Sequence, residues 1–73
     1  MQLHASQTIT IAVNGETTVT GAATLAELIA ELGFVEGAVA TALNGDFVPR
    51  GARAATKLAP GDKIEIVAPR QGG

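Results

Sequence analysis

The sequence has no cysteine, tryptophan or tyrosine, a single histidine (His4) and only two aromatic residues, Phe34 and Phe47. Without cysteine there is no disulfide staple, no thiolate nucleophile and no cysteine-based zinc site. His4 stands near a chain end that is expected to fray, so neither a Ser/His/Asp set nor a two-histidine metal spacing can be built, and no metal site is expected. Neither G-x-x-x-x-G-K-[ST] nor G-x-G-x-x-G occurs, which removes the usual phosphate cradles; no bound cofactor is expected. No apolar run approaches the roughly 20 residues that cross a bilayer, and Met1 to Gln7 have neither the basic start nor the apolar run of a signal peptide. Nothing therefore points to a membrane. A small domain without disulfides fits a reducing compartment, and a cytoplasmic location is expected. Lysine and arginine are absent from residues 1–46, and the five that follow have no aromatics between them, a poor basis for binding nucleic acid.

What remains is aliphatic and compact. The chain has 73 residues, of which 47% are hydrophobic, enough to exclude general disorder. That length holds one domain and one core, leaving little room for a substrate pocket of several hundred Å3. An enzyme is not indicated. Net charge is −2 but lopsided: Glu16, Glu27, Glu31, Glu36 and Asp46 precede residue 47, whereas Arg50, Arg53, Lys57, Lys63 and Arg70 follow it against Asp62 and Glu65. Such asymmetry can orient a docking partner.

Periodicity places the elements. Thr8 to Val13 alternates with Ile9, Ile11 and Val13 on one face, as in a half-buried strand. Asn14-Gly15 then precedes the β-prone Glu16 to Thr20, and Asn-Gly between two such runs signals a tight hairpin with positive φ at both turn residues. The spacing Thr24-Leu25-Ala26-Glu27 is that of a capping box. Leu25, Leu28, Ile29 and Leu32 follow on one helical stripe, and Gly33 closes it, so a helix is predicted over about 24–32. Val39 to Leu43 reads as a strand with Val39, Thr41 and Leu43 on its inner side. A second Asn-Gly turn, Asn44-Gly45, leads into Asp46-Phe47-Val48, and Pro49 suits an edge. Residues 50–58 read as an irregular connection with at most one helical turn, anchored by Leu58. Ala59-Pro60-Gly61-Asp62 matches a type II turn. Lys63 to Ala68 is the last strand, with Ile64 and Ile66 inward.

The order is β-β-α-β-β-β. One apolar helix stripe predicts an α+β fold in which the main helix covers one face of a mixed sheet. Residues 1–73 are read as one domain with a flexible C-terminal tail, 69–73. That tail ends in Gly72-Gly73, and two residues without Cβ make the thinnest backbone for threading a narrow channel. A carboxylate at its end can be activated only inside another protein, while the folded body supplies binding energy remote from the reacting atom.

Ala42-Leu43-Asn44-Gly45-Asp46-Phe47-Val48-Pro49-Arg50, Leu58 to Val67 and Gln71-Gly72-Gly73 together resemble the ThiS sulfur carriers of thiamine biosynthesis, which are ubiquitin-like β-grasp proteins. The resemblance covers about residues 8 to 73, and Asn44 to Arg50 is its most discriminating stretch. Gly51 to Lys57 matches no pattern. The resemblance implies that an E1-like adenylyltransferase uses MgATP to adenylate the Gly73 carboxylate. A persulfide sulfur donor then displaces AMP to leave a thiocarboxylate, and thiazole synthase accepts the sulfur. The chain is then a carrier acted on by enzymes, with Gly73 and Gly72 as its reactive end. Strand parity puts Ala40, Ala42 and Val67 on the face away from the helix, where they form a small apolar partner-binding patch leading to Arg70 and Gln71. Three other readings stand beside this one: the small subunit of molybdopterin synthase, a ubiquitin-like modifier joined through Gly73, and an interaction domain with an inert tail.

Overall fold

A computed structural model describes residues 7–68 of the chain. The first hairpin joins β1 (Ile9–Val13) to β2 (Glu16–Thr20). Its turn residues Asn14 and Gly15 have φ of 52° and 85°, the left-handed values a type I′ turn demands. Ile11 is buried and Ile9 and Val13 are half-buried against the core, as the alternation requires.

Helix α1 (Leu25–Glu31) starts at its capping box. Thr24 Oγ1 accepts from the Glu27 amide at 3.2 Å. The Glu27 carboxylate reaches one residue beyond the cap, accepting from the Ala23 amide at 2.7 Å. Leu25, Leu28 and Ile29 are fully buried. Leu32, placed by periodicity on the same stripe, is the C-cap residue and is 39% exposed. Gly33 has φ of 86°, and the amides of Gly33 and Phe34 donate to Ala30 and Ile29 carbonyls. This pair of bonds closes the helix and turns Phe34 back onto the core.

The second hairpin joins β3 (Ala40–Leu43) to β4 (Asp46–Val48) through Asn44 and Gly45, at φ of 52° and 89°. Residues Glu36–Ala38 and Arg50–Ala55 are 3-10 helices. The second of these gives the connection expected to be irregular six ordered residues. An isolated bridge between Thr24 and Lys57 then ties the connection to the start of α1. The Pro60-Gly61 turn delivers β5 (Lys63–Val67), with the Asp62 amide donating to the Ala59 carbonyl at 3.1 Å and Gly61 at φ 86°.

The sheet has five strands in the order β2-β1-β5-β3-β4. β5 is central, parallel to β1 and antiparallel to β3. Ile11, Ile64, Ile66 and Val48 on the inner face meet Ala22, Leu25, Leu28 and Ile29 in one aliphatic cluster. The outer face carries no helix among the described residues. β4, with Pro49 immediately after it, lies at an edge.

Candidate functional site

β5 is the strand that leads to the C-terminus, and both Asn-Gly turns grip it. At its start, the Lys63 amide donates to Asn44 Oδ1 at 2.9 Å while Asn44 Nδ2 donates to Asp62 Oδ1 at 3.1 Å. Near its end, the Ile66 amide donates to Asn14 Oδ1 at 2.9 Å and Asn14 Nδ2 donates to the Ile66 carbonyl at 3.1 Å. The turn at Asn14 carries β1 away before β5 ends, and the Asn14 carboxamide replaces the missing main chain. These polar groups of the central strand are thus satisfied by side chains rather than by a neighbouring strand.

The outer face beside β5 is built by register. Ala40 pairs with Val67, and Ala42 pairs with Glu65 on one side and Phe47 on the other. Val67 is 58% exposed and Ala40 is exposed, as parity predicts. Ala42 is half-buried, since the strands of Phe47 and Glu65 flank it. Phe47, 69% exposed, enlarges the patch and was not among the residues expected there. A signal for it exists: a two-residue Asn44-Gly45 turn puts Phe47 directly across from Ala42. Lys63 and Glu65 are exposed on the same face of β5, opposite in parity to Ile64 and Ile66. Arg70, Gln71, Gly72 and Gly73 lie outside the described residues, as does His4.

Arg53 departs furthest from what the sequence suggests, because its residue is only 2% exposed. Its Nε donates to Thr41 Oγ1 at 3.0 Å, Nη1 to the Glu36 carbonyl at 2.7 Å and Nη2 to the Val39 carbonyl at 2.7 Å. Thr41, itself buried in the inner face, donates its hydroxyl to the Val48 carbonyl at 2.9 Å. A buried charge must have oriented acceptors to be tolerated, and three neutral oxygens meet the guanidinium fork. One of the five bases behind the lopsided charge therefore has a structural role and is not free to contact a partner directly. Arg50 keeps an exposed position, 3.9 Å from the Glu36 carboxylate, a solvent-screened pair of small energetic weight. Among the described residues, no cluster of three His, Cys, Asp or Glu is placed to hold a metal ion, and no helix is long and apolar enough to cross a membrane.

A central C-terminal strand, one helix on one face and an open apolar patch on the other define a ubiquitin-like β-grasp protein. The ThiS family model matches residues 7–73. This chain belongs to the ThiS family. It is similar to a thiamine biosynthesis protein (ThiS) of Geobacter metallireducens known from a crystal structure, with 33% identity and a TM-score of 0.73 over 89% of this chain and 100% of that one. A solution structure of a thiamine biosynthesis protein from the same organism matches with the same identity and TM-score, covering 89% of this chain and 88% of that one. A search of curated proteins finds no match.

Proposed function

We propose that this chain is a sulfur carrier for thiazole formation in thiamine biosynthesis, and that its working group is the Gly73 carboxylate. The observation that carries the reading is a family match running through Gly72 and Gly73 to the last residue. The Geobacter relative is a thiamine biosynthesis protein, which favours this pathway over molybdopterin synthesis.

A carboxylate resists nucleophiles, so the carrier needs activation from outside. In the proposed sequence an E1-like adenylyltransferase binds MgATP and a Gly73 oxygen attacks the α-phosphorus, expelling pyrophosphate. The resulting mixed anhydride has a good leaving group. The terminal sulfur of a persulfide displaces AMP, and a thiol cleaves the acyl disulfide to release the thiocarboxylate. Thiazole synthase then takes up the sulfur. This chain contributes no acid, base or metal ligand to these steps and is not itself an enzyme. Its part is presentation: the body docks, and a terminus of two residues without side chains enters the partner's site.

Docking is assigned to the outer face, where Ala40, Ala42, Val67 and Phe47 offer apolar contact beside the exit of β5. Arg70 and Gln71 are the tail positions expected to contact the partner, Arg70 through charge-assisted bonds to acidic groups. The test is to incubate the chain with MgATP and the thiamine-pathway adenylyltransferase. Pyrophosphate release is expected from the full chain and not from one lacking Gly73. No release from the full chain, or equal release after deletion, overturns the proposal.

A further inference from the structure

The two Asn-Gly turns share one local chemistry but hold opposite ends of β5. Their left-handed φ is the same, 52° at both asparagines. Asn44 holds the strand where it begins, at Asp62 and Lys63. Asn14 holds it at Ile66, two residues before the last described residue, through both the amide and the carbonyl of that residue. The main-chain amide of Asn14 also donates to the Ile64 carbonyl at 2.8 Å. Beyond that bond β1 has turned away, and on this side of the strand only the Asn14 carboxamide continues the ladder. On the other side β3 pairs as far as Val67.

We infer that Asn14 is a positioning residue for the chemistry at Gly73. Its carboxamide holds the β1 side of the strand at Ile66, one residue before pairing with β3 ends at Val67, and so steadies the root from which the terminus reaches once the body has docked. This rests on the sulfur-carrier reading. Residues 69–73 carry the chain from Ala68 to the last carboxylate, a reach of at most about 18 Å. A root that frays by one or two residues changes both the length and the direction of the remaining segment. Misplacement of about 1 Å at a reacting atom can cost up to a hundredfold in rate. Docking through the outer face does not involve Asn14, which lies in the turn beyond β1. Loosening the root therefore lowers turnover without weakening binding of the body.

The discriminating experiment compares Asn14→Gly with Asn44→Gly. Glycine accepts the left-handed φ, so both turns persist and each variant loses only a carboxamide clamp. Amide hydrogen exchange and pyrophosphate release are measured on each. For Asn14→Gly the expected result is at least about tenfold faster exchange at Ile66, with Ile11 unchanged. With it comes a fall of about three- to tenfold in kcat and a KM within about twofold of wild type. For Asn44→Gly the loosening moves to Lys63, and kcat stays at the wild-type value. Should Asn14→Gly fail to fold, Asn14→Asp serves in its place. It keeps the acceptor for the Ile66 amide and loses the donor to its carbonyl, so for this variant the deciding result is the fall in kcat with KM held. Unchanged exchange at Ile66 in Asn14→Gly overturns the clamp whatever the kinetics. An unchanged kcat, a loss confined to KM, or an equal kcat loss in both variants overturns the positioning role. Absence of release from the wild-type chain overturns the sulfur-carrier reading, and the positioning role with it.

Discussion

Arg53 looks in the sequence like one more base in a basic stretch, flanked by alanines with no acidic residue near. In the fold its three donors bind the Glu36 and Val39 carbonyls and the Thr41 hydroxyl, so one side chain ties Arg50–Ala55 to Glu36–Ala38 and to β3. Replacing it with methionine keeps bulk and removes all three bonds. The expected loss is about 3 kcal/mol of unfolding free energy, measured by urea titration. Lysine in its place keeps the charge but not the planar fork, and recovers less than half of that stability. A loss under about 0.5 kcal/mol for the methionine variant would contradict the assigned role. No local pattern announced Arg53, because its partners lie 12 to 17 residues away and two of them are main-chain oxygens. Thr41 was expected on the inner side of its strand by parity alone. Its hydroxyl partners there, Arg53 and Val48, were not foreseen.

At the scale of elements, local chemistry and tertiary structure agree. Each hairpin turn has glycine where φ approaches 90°, and each strand alternates toward one core. Adding a Cβ at Gly45 meets no neighbouring atom within 4 Å, so Gly45→Ala isolates the backbone term. Unfolding free energy is expected to fall by about 1–2 kcal/mol, since an L-residue resists the left-handed region. The helix cap gives a second test. Thr24→Ala removes the acceptor for the Glu27 amide and is expected to cost about 1 kcal/mol in thermal or urea unfolding. Elements of this kind were legible because capping boxes, Asn-Gly turns and period-2 strands are short-range signals. The 3-10 helix at Arg50–Ala55 was not, since its order comes from a buried arginine and from the bridge of Lys57 to Thr24. The double duty of Asn14 and Asn44 was equally hidden. Turn formation explains both residues fully at the level of sequence, and only the sheet shows their side chains reaching β5.

For the whole molecule, the proposed function divides the chain into a body that is recognised and an end that reacts. The helix covers one face of the sheet; the other presents Phe47, Ala42, Ala40 and Val67 beside the strand that leads to the terminus. Phe47 is 69% exposed, so Phe47→Asp is expected to change stability by less than about 0.5 kcal/mol. The same substitution places a charge in the proposed interface. It should raise the KM of the carrier for its adenylyltransferase at least about tenfold, with kcat little changed. Equal KM for both chains in that assay removes the outer face from the docking account. The helix face followed from its apolar stripe, and the mixed β-grasp sheet from element order and resemblance; the strand order came from the structure. The candidate patch was legible in part: parity within each strand named three of its residues, and pairing across the second hairpin was needed for the fourth.

The central claim concerns one oxygen atom of Gly73. Its most direct test is the intact mass of the chain after incubation with MgATP, the adenylyltransferase and a persulfide donor, followed by thiol. Replacement of a single oxygen by sulfur is predicted, located by fragmentation at Gly73 and absent when ATP is omitted. An unchanged mass, or a chain joined through Gly73 to lysines of other proteins, would contradict it.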